Sequence, residues 1–113
     1  MDELIARVRA AKEPSAKLID DVRRELTQVN VERFEQYLDD QNWFAAASAL
    51  VNVIFPNGGG LAGWRDVDAG WAVAMSVPCD PGPFRGTKPQ YHVDHTLAIL
   101  LALLVAVKEE GDD

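Results

Sequence analysis

The tetrapeptide His92-Val93-Asp94-His95 holds both histidines of the chain and its only titratable cluster of chemical interest. Two imidazoles three residues apart at the start of a helix can share one face. Asp94 stands between them, and Cys79 and Asp80 precede them in a Pro-rich segment. Such a set describes a small metal-dependent or thiol enzyme, with Cys79 as a nucleophile activated by His92 or His95. The spacing argues against it. A zinc centre takes three or four protein ligands, and HVDH is not HExxH, whose histidines lie four apart around a glutamate base. Asp80 beside Cys79 opposes thiolate formation. The preferred reading therefore makes Cys79 a bystander and the histidines polar entry residues of a helix. No catalytic residue, metal or cofactor is assigned; His92, Asp94 and His95 are metal candidates only in the alternative.

A second cluster suits recognition rather than reaction. Phe84, Arg85, Lys88 and Tyr91 put two cations and two aromatic rings within eight residues of an otherwise acidic chain. Four prolines and two glycines stiffen residues 78–91, which read as a loop, and a stiff loop loses little entropy on binding. These four residues are the expected binding surface, the alternative being a segment that merely wraps the sheet edge. Asp66 and Asp68 read as an exposed hairpin end. Gly58-Gly59-Gly60 lacks the Gly-Lys-Ser/Thr ending of a phosphate loop and precedes a strand instead of a helix.

Punctuation residues mark the elements that carry these groups. Asp2 caps a first helix, with Leu4, Ile5, Val8 and Ala11 on one side, and Pro14 stops it. Ser15 caps a second, with a stripe of Leu18, Ile19, Val22, Leu26 and Val29. Asn30 caps a third, where Val29 and Phe34 sit at the positions of a hydrophobic staple. Asn42 caps a fourth, whose apolar side is Trp43, Phe44, Ala47, Leu50, Val51 and Ile54. Trp64–Asp68 and Trp71–Val77 then flank a turn in which Gly70 supplies positive φ. In the second strand Trp71, Val73, Met75 and Val77 alternate with Ala72, Ala74 and Ser76. Neither row is charged, so both faces are expected to be covered, and the tryptophans read as core and rim rather than as a ring-stacking site. A last helix spans about Thr96–Glu110. Its eleven apolar residues 97–107 are too few for a membrane span of about 20. A helix apolar all round is buried: it is either the central helix or the interface of a homo-oligomer.

The 113 residues fit one domain, 1–113. The net charge of −7 opposes binding to nucleic acid phosphates and anionic membranes. One cysteine excludes an internal disulfide and a multi-cysteine zinc site. The charged N-terminal segment lacks the apolar stretch of a signal peptide, so a cytoplasmic setting is expected.

The opening MDELIARVRAAKEPSAKLIDDVRREL resembles small bacterial and prophage proteins of the phage ABA sandwich domain family. Leu4-Ile5-Ala6-Arg7 and Pro14-Ser15 carry the likeness, joined by the Ala-rich helix running into Pro56-Asn57-Gly58, the Trp-led hairpin and the Thr96-Leu97-Ala98 helix start. The third helical segment and the Pro-rich segment depart from that pattern. The resemblance implies α-β-α layering and a phage or prophage origin, and it implies no catalytic residues. The resulting expectation is an α+β fold with helices on both faces of a small antiparallel sheet. Its function is that of a non-enzymatic accessory protein contacting a host or phage protein. Oligomerisation through residues 97–107 is the structural alternative.

Overall fold

Prolines, asparagines and short polar turns set the element boundaries in the computed structural model, which describes residues 1–56, 60–78 and 84–111. The order is α1 (Asp2–Ala10), α2 (Ala16–Leu26), α3 (Phe34–Asp39), α4 (Trp43–Ile54), β1 (Gly60–Asp66), β2 (Gly70–Pro78), β3 (Phe84–Gly86), β4 (Gln90–His92) and α5 (His95–Gly111). Three helix starts have side-chain caps. Ser15 accepts the Leu18 N–H at 3.2 Å, Asn42 the Ala45 N–H at 3.4 Å and Asp94 the Leu97 N–H at 2.9 Å.

The sheet is antiparallel throughout. β2 is its centre, β1 lies along one edge, and β3 and β4 share the other, opposite the two ends of β2. Gly70 holds φ at +98°, and a Cβ there would stand 2.8 Å from the Val93 Cα. The β1–β2 turn can therefore press against the chain entering α5 only with glycine at this position. Val73, Met75 and Val77 are buried on one face and meet α5. On its other sides α5 packs against α1, α2 and α4, while α3 rests on α4. One hydrophobic cluster joins all these elements.

The class is α+β with a small antiparallel sheet, as the sequence predicts, but the layering differs. The central layer is α5, not the sheet. The row of small residues carries exposed Ala62, Trp64, Ser76 and Tyr91 around it, so the helical layers lie on the other side. Ala72 is buried because it pairs between Trp64 and Tyr91, whose rings flank it, rather than because a helix covers it. An uncharged row of small residues thus marks local shielding as readily as a second layer. The apolar run is the central helix over most of its length. Leu97 through Leu104 are buried within the single chain, so the apolar circumference is already covered. No helix among the described residues is long and apolar enough to cross a membrane.

Two further expectations change. α2 ends at Leu26 because Thr27 turns extended and its hydroxyl takes the Val29 N–H at 3.0 Å. Val29 is consequently exposed, no staple forms, and α3 is capped by Arg33 in the left-handed region instead of by Asn30. Residues 84–92, expected to lie mostly in a loop, contain two short strands. Thr87 anchors the segment: it donates its N–H to the Met75 carbonyl at 2.8 Å, and its hydroxyl accepts the Met75 N–H at 2.9 Å.

Candidate functional site

His92, Asp94 and His95 serve different ends. His92 is buried on β4. Its Nδ1 accepts the Asp94 N–H at 3.0 Å, so the ring proton sits on Nε2, which donates to the Val8 carbonyl at 2.9 Å. Both nitrogens are occupied, and the ring ties the last turn of α1 to the chain entering α5. Asp94 is the cap of α5. His95, on the first turn of α5, has its ring between Phe44 and Trp71. The imidazoles thus do not share a face, contrary to the three-residue spacing argument. The irregular residues Val93 and Asp94 intervene between strand and helix. Among the described residues no group of three histidines, cysteines or carboxylates is placed to hold a metal ion. Cys79, the thiol of the alternative enzyme reading, lies outside the described residues, as does Asp80.

The second predicted cluster is split. Arg85 pairs with Val77, on the face turned to α5, and its guanidinium lies 3.6 Å from Glu109. Tyr91 pairs with Ala72 and stands exposed on the opposite face. Lys88 is exposed between the two strands, and Phe84 is the β3 residue opposite Pro78. Strand alternation therefore puts Arg85 and Tyr91 on opposite faces. Tyr91 and His92 border a shallow hollow of about 600 Å³ by the end of α1, with exposed Arg9 and Lys12 on its rim.

A smaller site is better formed. The α3–α4 corner turns through Gln41 at φ 56°, and Asn42 starts α4 immediately. The buried stripe of α4 is Ala46, Ala47, Leu50 and Val51, which leaves Phe44 pointing outward and 53 % exposed, contrary to its expected place in the core. The Phe44 ring stacks on His95 with centroids 5.5 Å apart and planes at 27°. The His95 ring stacks on Trp71 at 4.2 Å and 25°. The Arg65 guanidinium carbon lies 5.0 Å from the centre of the Trp71 ring. Four planar groups from α4, α5, β2 and β1 thus form one series. Trp71 is only half-buried and Trp64 is exposed, so the tryptophans belong to the rim more than to the core.

A cleft of about 280 Å³ opens beside this series, walled by Phe44, Leu61, Trp71, His95 and Ile99 and floored by Val73 and Gly63. A Cβ on Gly63 would stand 3.5 Å from His95 Nε2, so the missing side chain is part of the space. Among the described residues Arg65 has no carboxylate partner, although the chain carries eighteen acids. The arrangement offers aromatic walls, an imidazole edge and one cation. The residues that line it include no nucleophile with a paired base.

Comparison with models of known families, with curated proteins and with solved structures finds no match for this chain.

Proposed function

We propose that this chain is a binding protein that works by holding a protein partner along the β1 side of its sheet. The observation that carries this reading is the coincidence of an open strand edge with the aromatic cleft. Among the described residues β1 pairs only with β2, and its seven residues include neither proline nor lysine, its charges being confined to Arg65 and Asp66 at one end. Edge strands in proteins that avoid association are usually short, charged or interrupted. Here Leu61 and Trp64 are exposed on that edge strand, with Phe44 and the ring series beside them. A prophage-type accessory role against a host or phage protein fits such a surface, and the resemblance of the opening segment supports that origin.

Photocrosslinking tests the assignment. Benzoylphenylalanine is placed at Leu61 and, separately, at Val29, which is 60 % exposed and on another part of the molecule. Irradiation of cells making each protein yields a discrete protein adduct from position 61 and none from position 29. Absence of an adduct at 61, or the same adducts at both positions, refutes it.

A further inference from the structure

We infer that β1 takes an extended peptide as an added antiparallel strand, with an aromatic side chain seated opposite Gly63 and an acidic side chain opposite Arg65. This rests on the binding reading above and names the chemistry of its partner.

The main chain gives the register. Met75 directs both its N–H and its C=O at Thr87, hence away from β1. Leu61 is the partner of Met75, Gly63 of Val73 and Arg65 of Trp71. Alternation along an antiparallel ladder then turns the N–H and C=O groups of Leu61, Gly63 and Arg65 outward, while Ala62 and Trp64 bond to β2. The outward main-chain groups therefore belong to the residues on the cleft side of the sheet. A strand added at this edge places the residue opposite Gly63 on that same side, directly over the space the glycine leaves. Its neighbours two positions away fall opposite Arg65 and Leu61. The first meets a guanidinium with no carboxylate partner among the described residues, and the second meets an exposed leucine. Read in the antiparallel sense, the peptide is acidic-x-aromatic-x-aliphatic.

Two other occupants fit less well. The volume of about 280 Å³ is below the range of about 300–1,000 Å³ typical of small-molecule sites, and the cleft is open along the strand edge. It suits one anchored side chain. A second copy, paired about Gly63, sets glycine against glycine and leaves the cleft empty, and each copy carries a charge of −7.

The probe is the capped heptapeptide Thr-Glu-Thr-Phe-Thr-Val-Thr, titrated into the intact protein by calorimetry, with light scattering of the protein alone. Saturable binding is expected, weakened about tenfold or more when the peptide carries N-methyl phenylalanine, which deletes one main-chain donor without touching the protein. Gly63→Pro, whose missing N–H faces away from β2, and Gly63→Val, which fills the cleft, are expected to weaken it at least as much while leaving the melting curve close to wild type. Arg65→Gln and a Glu-to-Lys peptide each lose affinity, and the salt dependence disappears with them. No binding at millimolar peptide overturns the inference. So does equal binding of the N-methyl peptide, or a concentration-dependent doubling of mass that Gly63→Pro abolishes. If the position-61 adduct forms but these arms fail, strand addition falls and the binding reading stands.

Discussion

His92→Phe keeps a planar ring in place but deletes the link between α1 and the entry to α5. The wild-type ring makes two hydrogen bonds while only 6 % exposed: Nε2–H to the Val8 carbonyl at 2.9 Å, and Nδ1 from the Asp94 N–H at 3.0 Å. Phenylalanine satisfies neither. A polar group left buried without its partner costs about 1–3 kcal/mol, so two such groups cost about 2–6 kcal/mol. The more apolar ring returns roughly 1–2 kcal/mol of transfer free energy. Midrange values leave a net loss of about 2.5 kcal/mol, a sizeable part of the roughly 5–15 kcal/mol typical of a domain. For a chain near 100 residues this lowers the melting temperature by roughly 10–20 °C. Urea unfolding followed by tryptophan fluorescence and far-ultraviolet circular dichroism measures the change, with an unchanged slope m confirming that two-state comparison holds. A loss below about 1 kcal/mol, the scale of an ordinary surface substitution, would show that neither bond matters to the fold and would refute the reasoning.

Gly70→Ala forces a side chain to φ +98° and within 2.8 Å of the Val93 Cα, so a loss of about 3 kcal/mol or more is expected in thermal melts. Asp94→Ala removes the cap bond to Leu97 and should cost about 1 kcal/mol, read by the same denaturation curves. The hydrogen bond from Arg7, aided by the charge of Lys17, holds the Asp21 carboxyl below its usual 3.8 despite some desolvation. A depressed folded value means that this pair contributes stability above the unfolded value and loses it as pH falls through the folded one. Melting temperatures of the wild type and Asp21→Asn should therefore converge between about pH 5 and pH 2; a constant gap would contradict the assignment.

Local chemistry made several elements legible. Ser15 and Asn42 announce helices because their side chains can take a backbone N–H three residues on, and both do. Gly70 is required at its turn, as the strand pattern around it implies. The unbroken apolar run from Leu97 reads as a buried helix, and it is one. What periodicity leaves open is which surfaces meet. The alanines of β2 say that the row is small without saying whether a helix or only two flanking rings shield it. Thr27 breaks α2 one turn before Val29 through a side-chain bond that competes with the helix, so the stripe overruns its end. β3 and β4 are three residues each and exist because β2 supplies their partners. The site was the least legible part, for the same reason. Phe44, Arg65, Trp71 and His95 are distant in sequence, and no local pattern announces a stack assembled from four elements. Phe44 did carry a signal: α4 has a complete buried stripe without it. The bond from His92 to Val8 spans 84 positions and could not be read from either neighbourhood.

The placement of α5 has a consequence for biosynthesis. The sheet centre and α1, α2 and α4 all lean on it, yet it follows every one of them in the chain. Until residues 95–111 emerge, contacts such as α2 with α4 and β1 with β2 can form, but the helix that joins sheet to helices is missing. The shared core therefore closes only after α5 has been made.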